Sequence, residues 1–150
     1  MDSTIKQRHS SHNVVVRAAS GSLVAGETTT AIQEIGWAKT AVIRLDVTTL
    51  TLPDADDVVD FYLQTSYNEG VDWVDIENIH FATADNGTTS KKLLVVSDPQ
   101  SSAVARAETD GALADNTKLD LPLGDRVRIK TAVEGATAPT YAYNAEMSLR

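Results

Sequence analysis

The chain has 150 residues, 42% of them hydrophobic and 23% charged, which fits one globular domain and not a disordered chain. Thirteen Lys and Arg stand against 21 Asp and Glu, a formal charge of -8, and that acidity argues against a nucleic-acid groove or an anionic membrane as partner. Cysteine is absent, which excludes disulfides, thiolate zinc sites, iron–sulfur clusters and cysteine nucleophiles. The start of the chain lacks the apolar stretch of a secretion signal. The expectation is a soluble chain made in a cytoplasm.

Residues 1–17 carry Lys6, Arg8 and Arg17 against Asp2 alone, whereas the remainder is strongly acidic. This contrast divides the chain into an extended N-terminal arm, residues 1–17, and a single domain, residues 18–150. The arm is either a frayed terminus or a basic segment docked on an acidic neighbour.

Beyond the arm the dominant period is two, the signature of strands whose side chains point to opposite faces in turn. Ala41, Ile43, Leu45 and Val47 form one such run. Val59, Phe61, Leu63 and Thr65 form the next, alternating with Asp60, Tyr62, Gln64 and Ser66. Near the end come Val127, Ile129, Thr131 and Val133, then Tyr141, Tyr143, Ala145, Met147 and Leu149. Each run is expected to have a core face and a second face that is wet or partner-bound. Weaker strand patterns lie at 12–18, 28–35, 73–81 and 91–97. Turn sequences separate them, among them Leu52–Asp57, Asn68-Glu69-Gly70 and Asp85-Asn86-Gly87. Residues 101–113 are Ala-rich and suit either one helical turn or a long loop. The fold expected is all-β: an antiparallel β-sandwich or jelly-roll-like barrel of about eight strands.

Chemistry-bearing clusters are sparse. His9 and His12 lie in the arm, and His80 has no acidic or serine partner at motif spacing, so no catalytic residue, metal or cofactor is expected. Asp54, Asp56, Asp57 and Asp60 could approach a hard cation, but the run lacks the central glycine and terminal glutamate of a calcium loop. A solvated turn is the simpler reading. Arg126, Arg128 and Lys130 place three cations on one strand face. They pair either with acids of their own domain or with a neighbouring subunit. Together with Lys6, Arg8 and Arg17 they are the candidate partner-binding residues.

The most specific local pattern is Ser66-Tyr67-Asn68-Glu69-Gly70-Val71-Asp72-Trp73. It is similar to the Asp-box hairpin, Ser-x-Asp-x-Gly-x-x-Trp, with Asn68 where that motif has aspartate. Ser66, Asn68, Gly70 and Trp73 are therefore expected to build a structural turn, with the indole as anchor. A carbohydrate-binding role would instead require Trp37 or Trp73 to lie open to solvent.

Over roughly residues 36–81 and 119–149 the chain resembles small virion proteins of tailed bacteriophages. The segments that carry the likeness are Val59-Asp60-Phe61-Tyr62-Leu63-Gln64-Thr65-Ser66, the turn through Trp73-Val74-Asp75, and Leu121-Pro122-Leu123-Gly124-Asp125-Arg126. The resemblance implies a non-enzymatic β-sandwich subunit of the virion, assembled as a homo-oligomer on other virion proteins. Capsid decoration or cement is the role expected first. A neck, collar or tail-completion protein comes second, and a carbohydrate-binding sandwich at a host surface third.

Overall fold

A computed structural model describes residues 13–17, 21–22, 26–29, 33–34, 41–87, 90–96, 108–119, 121–135 and 139–149. Its strands are β1 (Asn13–Arg17), β2 (Gly21–Ser22), β3 (Gly26–Thr29), β4 (Gln33–Glu34), β5 (Ala41–Thr51), β6 (Val58–Ser66), β7 (Val74–Phe81), β8 (Ser90–Val96), β9 (Arg126–Glu134) and β10 (Thr140–Leu149). All pairings are antiparallel, and they form two sheets. The first has the order β1-β10-β5-β8 with β2 beside β10, and the second β3-β9-β6-β7 with β4 beside β9. The protein is all-β. The helical structure among the described residues is one 3-10 turn, Thr83–Asp85, and no helix there is long and apolar enough to cross a membrane.

One apolar core draws on both sheets. Leu45, Val47, Leu50, Tyr141 and Tyr143 of the first meet Val59, Phe61, Leu63, Ile76, Ile79, Phe81, Val127, Ile129 and Val133 of the second. Phe61 sits at the centre, 1% exposed, in T-shaped contact with the rings of Phe81, Tyr141 and Tyr143. The alternation read in β5 holds through Leu45 and Val47 and then slips by one residue. Opposite β10, Ala142 pairs with Thr49 and Tyr143 with Val47, so Thr48 is the extra residue of a bulge. The slip turns Leu50 inward, 2% exposed, and leaves Thr49 in solvent.

In β6 the expectation of a wet or partner-bound second face is overturned. From Val59 to Ser66 every residue is buried, because residues 108–119 of the same chain lie over the outer face of the second sheet. Leu113 and Leu119 pack there on Tyr62 and Ala132. The same loop satisfies the free edge of β7: the Asp75 N–H donates to the Thr109 carbonyl, Asn78 N–H to Thr117, and Leu119 N–H to Ile76. Residues 108–113, the described part of the Ala-rich stretch, form no helix. An edge strand covered in this way is closed to pairing with other chains.

Candidate functional site

Polar side chains collect between the outer face of the second sheet and the loop 108–119, in two clusters. The first is organised by Gln64, fully buried on β6. Its amide nitrogen donates to Asp75 Oδ1 at 2.7 Å and Asp110 Oδ1 at 2.8 Å, and its oxygen accepts from Arg128 Nε at 2.6 Å. Both amide hydrogens and the carbonyl are thus engaged, as burial of a glutamine requires. Asp75, also fully buried, accepts from the backbone N–H groups of Gly111, Ala112 and Leu113.

Arg128 and Lys130 reach the same cluster. Arg128 Nη2 lies 3.3 Å from Asp110 Oδ1, and its guanidinium covers the Trp73 ring at 4.1 Å from the centroid. Lys130, 7% exposed, donates to the Asp110 carboxylate at 3.2 Å and to the Asp110 carbonyl. Two members of the basic row therefore engage an acid of their own chain. Burial pushes the Asp110 carboxyl up, but hydrogen bonds from Gln64 and Lys130, with the charges of Lys130 and Arg128, outweigh it and hold the group below its ordinary 3.8. A carboxyl depressed in the folded state supports folding fully above its unfolded value, and that support is lost as pH falls through the lower folded value. On acidification below about pH 3.8, the urea midpoint should therefore fall more steeply for the native chain than for Asp110→Asn. Equal slopes would mean that the carboxylate does not hold the loop.

The turn at 66–73 is built from its own side chains. Ser66 Oγ accepts from Gly70 N–H at 2.9 Å and from Asn68 N–H at 3.3 Å, and Asn68 Oδ1 accepts from Asp72 N–H at 2.8 Å. Asn68 supplies the oxygen an aspartate would, and its amide also donates to Asp72 Oδ2. Glu69 and Gly70 both have positive φ, 60° and 86°, at the two central positions of a tight turn within the β6–β7 connection. Gly70 takes such a φ at no steric cost. Glu69 adopts it as well, because Asn68 occupies the position before the bend, where its carbonyl accepts from Val71 N–H. Trp73, 7% exposed, donates Nε1–H to the Gly70 carbonyl, so neither its edge nor its face lies open to a sugar.

The second cluster joins three elements. Asp60 on β6 lies opposite His80 on β7, and Asp115 comes from the loop. His80 Nδ1 is 2.9 Å from Asp60 Oδ1 and 3.5 Å from Asp115 Oδ1. Burial, followed by the charges of Asp60 and Asp75 and more weakly those of Glu134 and Asp115, pushes the nearby Tyr62 phenol up to about 12. Sequence reasoning missed this cluster because its members are spread over 55 positions, from Asp60 to Asp115. The signal that could have found part of it was the hairpin, which folds Asp60 back toward His80.

The acids at 54–60 do not gather. Asp57 is fully buried and caps its own turn, accepting from Asp54 N–H at 3.0 Å. Asp54 and Asp56 are exposed, and Asp60 faces His80. Arg126 stands opposite Ser66, with its carbonyl accepting from Thr65 Oγ1. Arg17 ends β1 opposite Asn144. Lys6, Arg8, His9, His12 and Trp37 lie outside the described residues. Comparison with protein-family models, curated proteins and solved structures finds no match to this chain.

Proposed function

We propose that this chain is a non-enzymatic structural protein of a tailed-bacteriophage virion, a capsid decoration or cement subunit docked on the head shell. In this reading the two sheets face each other as a β-sandwich of about eight principal strands, with the two-residue β2 and β4 as attachments. The part of the arm that precedes β1, residues 1–12, and the outward surfaces meet other copies and other virion proteins.

The observation that carries the reading is how the two separately resembling segments lock together. Thr65 Oγ1 accepts from Gly124 N–H at 2.9 Å, Ser66 carbonyl accepts from Asp125 N–H at 2.8 Å, and Asp125 Oδ2 accepts from Glu69 N–H at 2.9 Å. The approach at Gly124 is so close that a Cβ there would lie 1.7 Å from the Ser66 oxygen, which only glycine permits. Gln64-Thr65-Ser66, the turn and Leu123-Gly124-Asp125 thus act as one unit. These hydrogen bonds hold shape, as suits a protein that works by presenting surfaces.

Particles purified from lysates should contain the chain at on the order of hundreds of copies, judged by band intensity against the major capsid protein, whereas a ring at the neck would give about six or twelve. Deleting residues 1–12, which leaves β1 paired with β10, should lower that occupancy. Absence of the chain from particles would overturn the reading, and a ring-like copy number would move it to the neck. Wild-type occupancy without residues 1–12 would remove the arm from it.

A further inference from the structure

We propose that Asp60, His80 and Asp115 bind a divalent transition-metal cation of the zinc class, which fastens the loop 108–119 to the β6–β7 hairpin. One ligand atom from each of the three lies within 4.8 Å of the other two. The nitrogen-to-oxygen separations of 2.9 and 3.5 Å bracket the roughly 3.3 Å expected between ligands of a tetrahedral ion with bonds of about 2.0–2.1 Å.

Charge argues in the same direction. Two carboxylates converge on the same imidazole nitrogen, and Nδ1 carries at most one hydrogen, so it can serve one of them well. An imidazolium would still leave the group one negative charge in excess. The Asp60 side chain is 8% exposed, and His80 is its hydrogen-bond and ion-pair partner. Among the described residues no lysine or arginine pairs with Asp60 or Asp115. A buried carboxylate beside a second acid needs a balancing charge, and a divalent cation supplies it in full.

The ligand chemistry selects the ion. An imidazole nitrogen with two carboxylate oxygens suits zinc, cobalt or nickel, whereas calcium and magnesium take oxygen ligands. Asp60 and His80 are held by strand pairing, so half of the site is fixed before the ion arrives. Asp115, with its side chain 65% exposed, closes the site from the loop and leaves room for water as a further ligand.

The test uses the full chain, stripped with a chelator and titrated at about pH 7.5. The probe is Co2+ alone, followed by visible absorption, with Zn2+ then displacing it. Binding of a single equivalent is expected, with a rise in thermal midpoint. Asp115→Asn, an exposed change that leaves the core untouched, should weaken Co2+ at least about tenfold, and His80→Ala should abolish the band. The variant with His9→Gln and His12→Gln should bind as the native chain does. No binding by the native chain, or undiminished binding by Asp115→Asn, would overturn the proposal, as would loss of the band when His9 and His12 alone are changed.

Discussion

Replacing Phe61 by alanine should lower the free energy of unfolding by about 3–5 kcal/mol. The ring is 1% exposed and lies where the two sheets share their core. It meets Phe81 of its own sheet at 5.7 Å and 89°, and Tyr141 and Tyr143 of the other at 6.0 Å and 85° and 4.9 Å and 78°. These edge-to-face pairs add to the area the ring buries. Three large neighbours, Phe81 on β7 and the two tyrosines on β10 of the other sheet, cannot all collapse into the vacated space, so the cost belongs at the upper end of the range. Urea unfolding followed by far-UV and near-UV circular dichroism should give one transition, shifted equally by both probes. A loss below about 1 kcal/mol, or two separated transitions, would show that the sheets do not depend on a common core.

The strands were readable because their inward residues repeat every second position: Val59, Phe61 and Leu63 on β6, and Val127, Ile129 and Val133 on β9, are all buried. The turn was readable for a different reason. Ser66, Asn68 and Trp73 act on backbone groups within a few residues of themselves, so local sequence contains the whole interaction. Two kinds of feature stayed hidden. Bulges depend on the partner strand: nothing in Val47-Thr48-Thr49-Leu50 alone makes Thr48 the extra residue. Likewise, continuing the register of Thr65 opposite Val74 would set Asp60 against Ile79, and an irregularity after Gln64 brings it to His80.

Long-range covering was also hidden. Asp60, Tyr62 and Gln64 alternate with apolar residues exactly as a wet face would, and what buries them begins at residue 108, more than forty positions away. The polar character of that face is itself a sign of the cover. A Gln, an Asp and an Arg gathered beneath one loop can be buried only where each finds partners, and Asp110 with the backbone of 111–113 provides them.

Asp75 gives the second large effect. Its two oxygens accept from Gln64 Nε2 and from the N–H groups of Gly111, Ala112 and Leu113, all at 2.7–3.2 Å. Asp75→Ala removes the acceptor for three backbone donors and one amide in a place water reaches poorly. At about 1–3 kcal/mol for a buried polar group left unpaired, and with partial relaxation, the loss should come to about 3–5 kcal/mol. Asp75→Asn keeps the shape but should recover only part of this. Both carboxylate oxygens face N–H donors, so an amide NH2 opposes a donor whichever way it is turned. The damage should appear first in the loop, because those hydrogen bonds and Asp110 tie it to the sheet. Hydrogen exchange at the amides of 111–113, and tryptic cleavage after Lys118, should therefore accelerate more in Asp75→Ala than exchange at the centre of β6. Cleavage of this kind tracks the open population when reclosing is fast. Uniform acceleration along the chain would instead make Asp75 a support of the whole fold, and unchanged exchange at 111–113 would mean that its carboxylate does not clamp the loop.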